Sequence, residues 1–444
     1  MTAQIKTKES IEKTSHPRKI KAPPARELSF GLEIANYVIQ VESLARANRQ
    51  TMKVVMNALK KSTDSFKHFM KEKGINTTTK EGKSSYQLKP ENLRSFDIHI
   101  KDLTASALAQ KKIPEIFFCS LIHQYDAYLG KLLRVAFYVT PDALNASEKQ
   151  LTFSELLTFS GIDAAREYLI EKEIETVIRG SHDDQFTWIE KRFGLVLRKD
   201  LPSWPKFIEM TERRHLFVHC DGAVSSQYLS VCKKHKATID NAICVGDQIG
   251  ITKPYFDQAY ECILEIGVKL GHVLWRKLQP DMLEDADMAL HNTTYDLLLD
   301  ERYSLAKTLL QFATTTLKKH SSEEVKRMNL INLAIAHYCL GEKEETIRLI
   351  DGSEWSACTD KFKLAVAVLH DDYTKATKIM QRIGKKGEVT REAYSSWPLF
   401  REFRKSKEFL STYRKLFGKE FIVPQTETDQ RLDIHKTSQS GSRG

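Results

Sequence analysis

The chain has 444 residues, 41% hydrophobic and 28% charged, apolar material for about three folded units of ordinary size. Lys and Arg number 68 against 58 Asp and Glu, an excess that permits contact with a polyanion and says nothing of fold. No apolar run approaches the roughly 18 residues of a membrane span, and the charged first residues lack the apolar centre of a secretion signal, so the expectation is a cytoplasmic protein with no membrane partner.

Residues 1–27 carry Pro17, Pro23 and Pro24 and seven basic against three acidic groups, and read as a disordered basic arm. Residues 28–112 form a mainly helical N-terminal region. Leu32, Ile34, Val38, Val41, Leu44, Val55 and Leu59 recur mostly by three and four, which predicts a helix from Ser29 to about Gly74. The polar stretch 76–92 reads as a loop, and 93–110 gives no clear pattern.

A middle block, 113–280, shows almost no strand-like alternation. Pro114 fits the first turn of a helix that ends before Pro141. Further helices are expected over 154–178, 182–193, from Pro202 or Pro205 to Gly222, and 254–278. The fold class is therefore all-α.

Residues 281–420 read as pairs of helices. The run 332–341 is followed by 342–350, and 364–369 by 371–376, with Ala334 and Ala365 standing 31 positions apart. Residues 298–310 look like the turn and second helix of an earlier copy. Such spacing resembles tetratricopeptide repeats, although the Trp and Tyr signature positions are missing; a plain helical bundle is the alternative. A repeat scaffold would take a protein partner. Residues 374–419 hold thirteen basic and four acidic groups. A helix over 373–384 would put Lys375, Lys378 and Arg382 on one side, close to Lys385 and Lys386. Lys378 and Arg382 are thus candidate RNA contacts, with a solvated helix face as the other reading. Residues 421–444 read as a disordered tail.

The most informative segment is the run 205–222. At about 100° per residue with Phe207 at zero, Arg214 falls near 340°, inside the arc of Met210, Phe217 and Val218. His215 and His219 stack one turn apart on its flank. An arginine on an apolar stripe is costly unless it is paired or faces a phosphate or other polar cavity. Three readings follow: an arginine paired to a buried carboxylate, a metal site on His215 and His219, or metal-free phosphoryl chemistry. The segment HLFVH lacks the glutamate of the zinc-protease motif. The seven cysteines contain no CxxC pair, so reduced thiols are expected.

The run Arg214-His215-Leu216-Phe217-Val218-His219 is similar to the signature of the HEPN superfamily, an arginine and a polar residue followed by a histidine. The resemblance covers about 114–280. It implies a four- or five-helix bundle that forms a homodimer and pools its arginines and histidines at the two-fold axis. It also implies RNA as substrate, cut without metal or other cofactor to leave a 2′,3′-cyclic phosphate, in toxins or effectors of anti-phage defence. On this implication Arg214 holds the phosphate oxygens and His219 moves protons. His215 supports them, and Arg213 is a further phosphate contact or a surface group. His123 and Asp126 could line the cleft or lie on a helix flank. The alternative is a non-catalytic HEPN-like sensor or adaptor that dimerises or binds RNA and recruits a protein through its repeats.

Overall fold

The computed structural model describes residues 28–78, 84–146, 150–199, 201–240 and 242–422. The arm expected at 1–27 and all but the first two residues of the expected 421–444 tail lie outside the described residues. Among the described residues the fold is all-α apart from one two-stranded antiparallel hairpin. The chain divides into two compact units, 1–263 and 264–444.

The first unit begins with α1 (Phe30–Lys73), capped by the Ser29 hydroxyl, which accepts from the Leu32 amide. Strands β1 (Ile75–Thr78) and β2 (Ser84–Gln87) pair Ile75 with Gln87 and Thr78 with Ser84. They lie in and beside the stretch expected to be a loop. Their polar side chains show no period-2 pattern, so the pairing is set by the reversal between two long helices. α2 (Leu93–Val139) returns antiparallel to α1.

Pro114 does not open a helix. It lies inside α2, so the expected boundary at 112/113 falls within one continuous helix. Proline forgoes one backbone hydrogen bond there. The helix continues because α2 meets α1 on both sides of the proline, at the Phe66–Phe96 pair before it and the Tyr37–Tyr128 stack after it.

That seam has a heptad spacing. On α1, Met52, Val55, Leu59, Ser62, Phe66 and Phe69 alternate by three and four, and on α2 so do Phe96, His99, Leu103, Ser106 and Gln110. Ser62 Oγ meets Ser106 Oγ at 3.1 Å, the Phe66 and Phe96 rings lie 6.0 Å apart, and the Phe69 ring lies tilted against His99 with centroids 4.8 Å apart. This is the packing of an antiparallel coiled coil.

The later half of α2 is the centre of the first unit. Phe118, Tyr125, Tyr128, Leu132 and Phe137 are fully buried. The expected helix over 154–178 is broken at Gly161 into α3 (Phe153–Leu156) and α4 (Ile162–Arg179). α5 (His182–Phe193) starts at a Ser181 cap and ends at Gly194 in the left-handed region. α6 (Trp204–His219), α7 (Ser226–Lys234) and the first turns of α8 (Lys253–Leu278) complete the unit.

In the second unit three helical hairpins follow one another: α9 (Leu283–Leu299) with α10 (Tyr303–Gln311), α11 (Glu323–Cys339) with α12 (Lys343–Asp351), and α13 (Asp360–Leu369) with α14 (Tyr373–Ile383). Each turns through one left-handed residue two positions before its second helix: Glu301, Gly341 and Asp371, at φ 59°, 78° and 58°. The next amide then bonds back five residues, Arg302 to Leu297, Glu342 to His337 and Asp372 to Ala367, at 2.8–3.0 Å. That is the Schellman closure used three times. α15 (Arg391–Ser396) and α16 (Lys407–Phe417) close the unit.

Candidate functional site

The 205–222 run forms α6, with Pro205 in its first turn, where a missing amide proton costs nothing. Trp204, Phe207, Ile208, Met210 and Leu216 anchor it in the core. Its C-terminus is held by backbone pairing with the loop before α8: the Val224 amide bonds Asp247 O at 2.9 Å, and the Ile249 amide bonds Gly222 O at 3.0 Å. Gly222 sits at φ 82°, where a Cβ would come within 3.0 Å of the Ile249 carbonyl oxygen, so glycine is required at this corner.

α6 also buries a carboxylate, Glu209, with no exposed surface. Its Oε1 accepts from Arg213 Nε at 2.7 Å and from the Tyr228 hydroxyl at 2.8 Å; its Oε2 accepts from the Tyr255 hydroxyl at 2.7 Å and from Lys206 Nζ at 3.2 Å. Burial pushes the Glu209 carboxyl up, but the Arg213 and Lys206 charges and the two phenols outweigh it and hold it below its ordinary value. Arg213 also lies 4.0 Å over the Tyr255 ring, and its guanidinium donates to Gly250 O at 3.2 Å. The arginine paired to a buried carboxylate is therefore Arg213, and its guanidinium is committed to the interior.

Arg214 points elsewhere. With Phe217 and Val218 from α6 and Ile116, Cys119 and His123 from α2, it lines an open groove of about 440 Å³. It is half-buried and has no hydrogen bond or ion pair among the described residues. Its charge opposes the rise that burial imposes on the Cys119 thiol. At one end of the groove Lys112 donates to Asp221 Oδ1 at 2.7 Å and pairs with Glu115 at 3.0 Å. Ile116 and Val218, 58% and 50% exposed, give the groove an apolar rim.

His215 and His219 occupy the adjacent row of α6. Both are exposed, with ring centroids 4.5 Å apart. Among the described residues they belong to no group of three or more His, Cys, Asp or Glu side chains placed to hold a metal ion. Glu212, one turn before His215, carries a carboxyl pushed up by burial and drawn back by the His215 and His182 imidazoles. It was missed in the sequence, where only its position three residues before His215 could have drawn attention. Of the two flank candidates, His123 lines the groove, while Asp126 is turned to His182 Nε2 at 2.9 Å.

The basic C-terminal candidates belong to the second unit. Lys378 is exposed on α14, and Arg382 forms a two-pronged pair with Asp360 at 2.5 and 2.7 Å. Nearby arginines are likewise engaged: Arg404 donates to the Tyr394 carbonyl at 2.7 Å and Arg391 to the Tyr413 hydroxyl at 3.0 Å. No helix among the described residues is long and apolar enough to cross a membrane.

Comparison with protein-family models, curated proteins and solved structures finds no match to this chain.

Proposed function

We propose that the chain is a metal-independent RNA endonuclease of the HEPN type, a toxin or effector of anti-phage defence whose active site forms at a homodimer interface. One observation carries the reading. Of two adjacent arginines on α6, Arg213 satisfies the buried Glu209, which leaves Arg214 half-buried beside a groove with no hydrogen bond or ion pair among the described residues, the Glu115 carboxylate in the same groove being paired with Lys112. A guanidinium so placed suits the non-bridging oxygens of a phosphodiester, which it can grip with two parallel hydrogen bonds. The paired imidazoles of His215 and His219 supply proton transfer one turn along.

The chemistry follows. One imidazole removes the 2′-hydroxyl proton as the 2′-oxygen attacks the adjacent phosphorus. The phosphorus–5′-oxygen bond breaks, and a second imidazole, in its protonated form, delivers a proton to the departing oxygen. The products are a 2′,3′-cyclic phosphate and a 5′-hydroxyl. Arg214 takes the charge that builds on the non-bridging oxygens. The exposed Ile116 and Val218 at the rim are apolar surface that a second copy of the chain would cover, placing a second Arg214 and His219 at the same cleft.

Single-stranded RNA incubated with the purified protein in EDTA tests this. Cleavage with cyclic-phosphate ends is expected, and His219→Ala should reduce it by about 10²–10⁴, the range of an acid–base group. Cleavage that requires a divalent metal, or equal cleavage by wild type and variant, overturns it.

A second reading, a non-catalytic adaptor, rests on the three hairpins of the second unit and their common turn, which suit a tetratricopeptide-like scaffold for a protein partner. Induced expression separates the two. A nuclease is toxic and Arg214→Ala relieves the toxicity, whereas an adaptor is harmless in both forms, with and without phage infection.

A further inference from the structure

The antiparallel pair α1 and α2, beyond Asn48, buries only Phe69 on the α1 side and packs chiefly on itself. Its charge is one-sided. Residues 46–112 contain fifteen Lys and Arg against six Asp and Glu, an excess of nine in a chain whose total excess is ten. Arg46, Lys53, Lys60 and Lys67 stand seven residues apart, two turns each, and so form one line along α1 about 31 Å long. All four are exposed, and none has a hydrogen bond or ion pair among the described residues. Lys71 extends the line toward the strands. Two acidic side chains of α1 lie beside the line, Glu42 one turn before Arg46 and Asp64 between Lys60 and Lys67, while Glu72 pairs with His68 at 3.2 Å.

The line ends at an aromatic platform. Tyr86 on β2, 53% exposed, lies with Phe66, Lys67, Met70 and Lys71 around an open groove of about 540 Å³. Gly74 makes this possible: a Cβ there would stand 2.9 Å from Tyr86 Cδ1 and 2.5 Å from the Met70 carbonyl oxygen. The chain thus seats an exposed phenol ring beside two lysines that have no ion pair among the described residues.

We propose that this arm docks single-stranded RNA, with the backbone along Arg46, Lys53, Lys60 and Lys67 and an unstacked base on Tyr86. The proposal extends the endonuclease reading and takes only the choice of RNA from it. A regular row of cations on a rigid rod matches a regular polyanion, and an exposed aromatic flanked by lysines is the stacking platform that single strands use regardless of sequence.

The test separates docking from cutting. Binding of a fluorescein-labelled mixed-sequence RNA of about 20 nucleotides is followed by anisotropy on the full chain carrying His219→Ala, across a salt titration. Lys53→Glu, Lys60→Glu and Lys67→Glu together should weaken binding at least tenfold. They should also make the slope of log affinity against log salt shallower by about 2, at about 0.7 per lost contact. Tyr86→Ala should weaken binding severalfold and leave the slope unchanged. The reversals lie off the coiled-coil seam, so circular dichroism should not change. Equal binding by the triple variant and its parent overturns the proposal. So does a parent that binds phosphatidylserine vesicles and not RNA. An intact protein that binds through the arm and never cuts RNA refutes the endonuclease reading and leaves the arm standing.

Discussion

Arg213 Nε lies 2.7 Å from Oε1 of Glu209, a carboxylate with no exposed surface, while the next residue, Arg214, turns away to a groove on the other side of the same helix. Consecutive residues on a helix point about 100° apart, so one guanidinium can serve the core and the other the surface.

This division predicts opposite phenotypes for neighbouring substitutions. Arg213→Ala leaves Glu209 buried with its principal countercharge gone and should cost about 3–5 kcal/mol, the usual penalty for breaking a buried pair. Arg214→Ala removes no internal partner and should change stability by less than about 0.5 kcal/mol while abolishing RNA cleavage. Urea melts and cleavage assays on the two variants check this; equal melts would mean that Arg214 also carries the fold.

Glu209→Gln is the complementary case. It keeps the shape but removes the charge that Arg213 and Lys206 face, and it can satisfy fewer of the four donors. Destabilisation of about 1–3 kcal/mol is expected, with the loss centred on α6, α7 and the start of α8. Hydrogen exchange should show faster amide exchange there first.

In the second unit Asp287 is buried and accepts from Arg276 at 2.6 Å, from the Ser321 amide at 2.6 Å and from the Ser321 hydroxyl at 2.9 Å, with His320 at 3.3 Å. Burial raises its carboxyl, but these donors and the Arg276 charge hold it well below its ordinary value. A depressed carboxyl stabilises the fold fully above its unfolded pKa of about 3.9, and that stability is lost as pH falls below about 4 toward the folded value. Asp287→Asn should therefore melt earlier at pH 7 and lose part of the wild type's acid sensitivity below pH 4. Thermal melts at pH 7 and pH 3 read both effects.

Gly222→Ala should destabilise by about 1–2 kcal/mol, because alanine strains the left-handed backbone at φ 82° and its Cβ meets the Ile249 carbonyl oxygen at 3.0 Å. That corner fixes the end of α6 just beyond His219, so RNA cleavage should fall more than the melt alone explains.

The sequence by itself determined the all-α class and several helix bounds. The expected 182–193 helix is α5, and the expected 254–278 helix is α8 within one residue, because serine and proline starts and a left-handed glycine stop act within a turn or two. It also singled out the 205–222 helix, since an arginine inside an apolar arc is a local anomaly. The four-residue spacing of Glu209 and Arg213 already favours their pairing on a helix; only the tertiary structure buried that pair, through Tyr228 and Tyr255, 15 and 42 residues beyond Arg213. Only it carried α2 through Pro114, where a seam with another helix outweighs a lost backbone bond. And only it left the Arg46, Lys53, Lys60 and Lys67 row exposed, because α2 fixes which side of α1 is the seam.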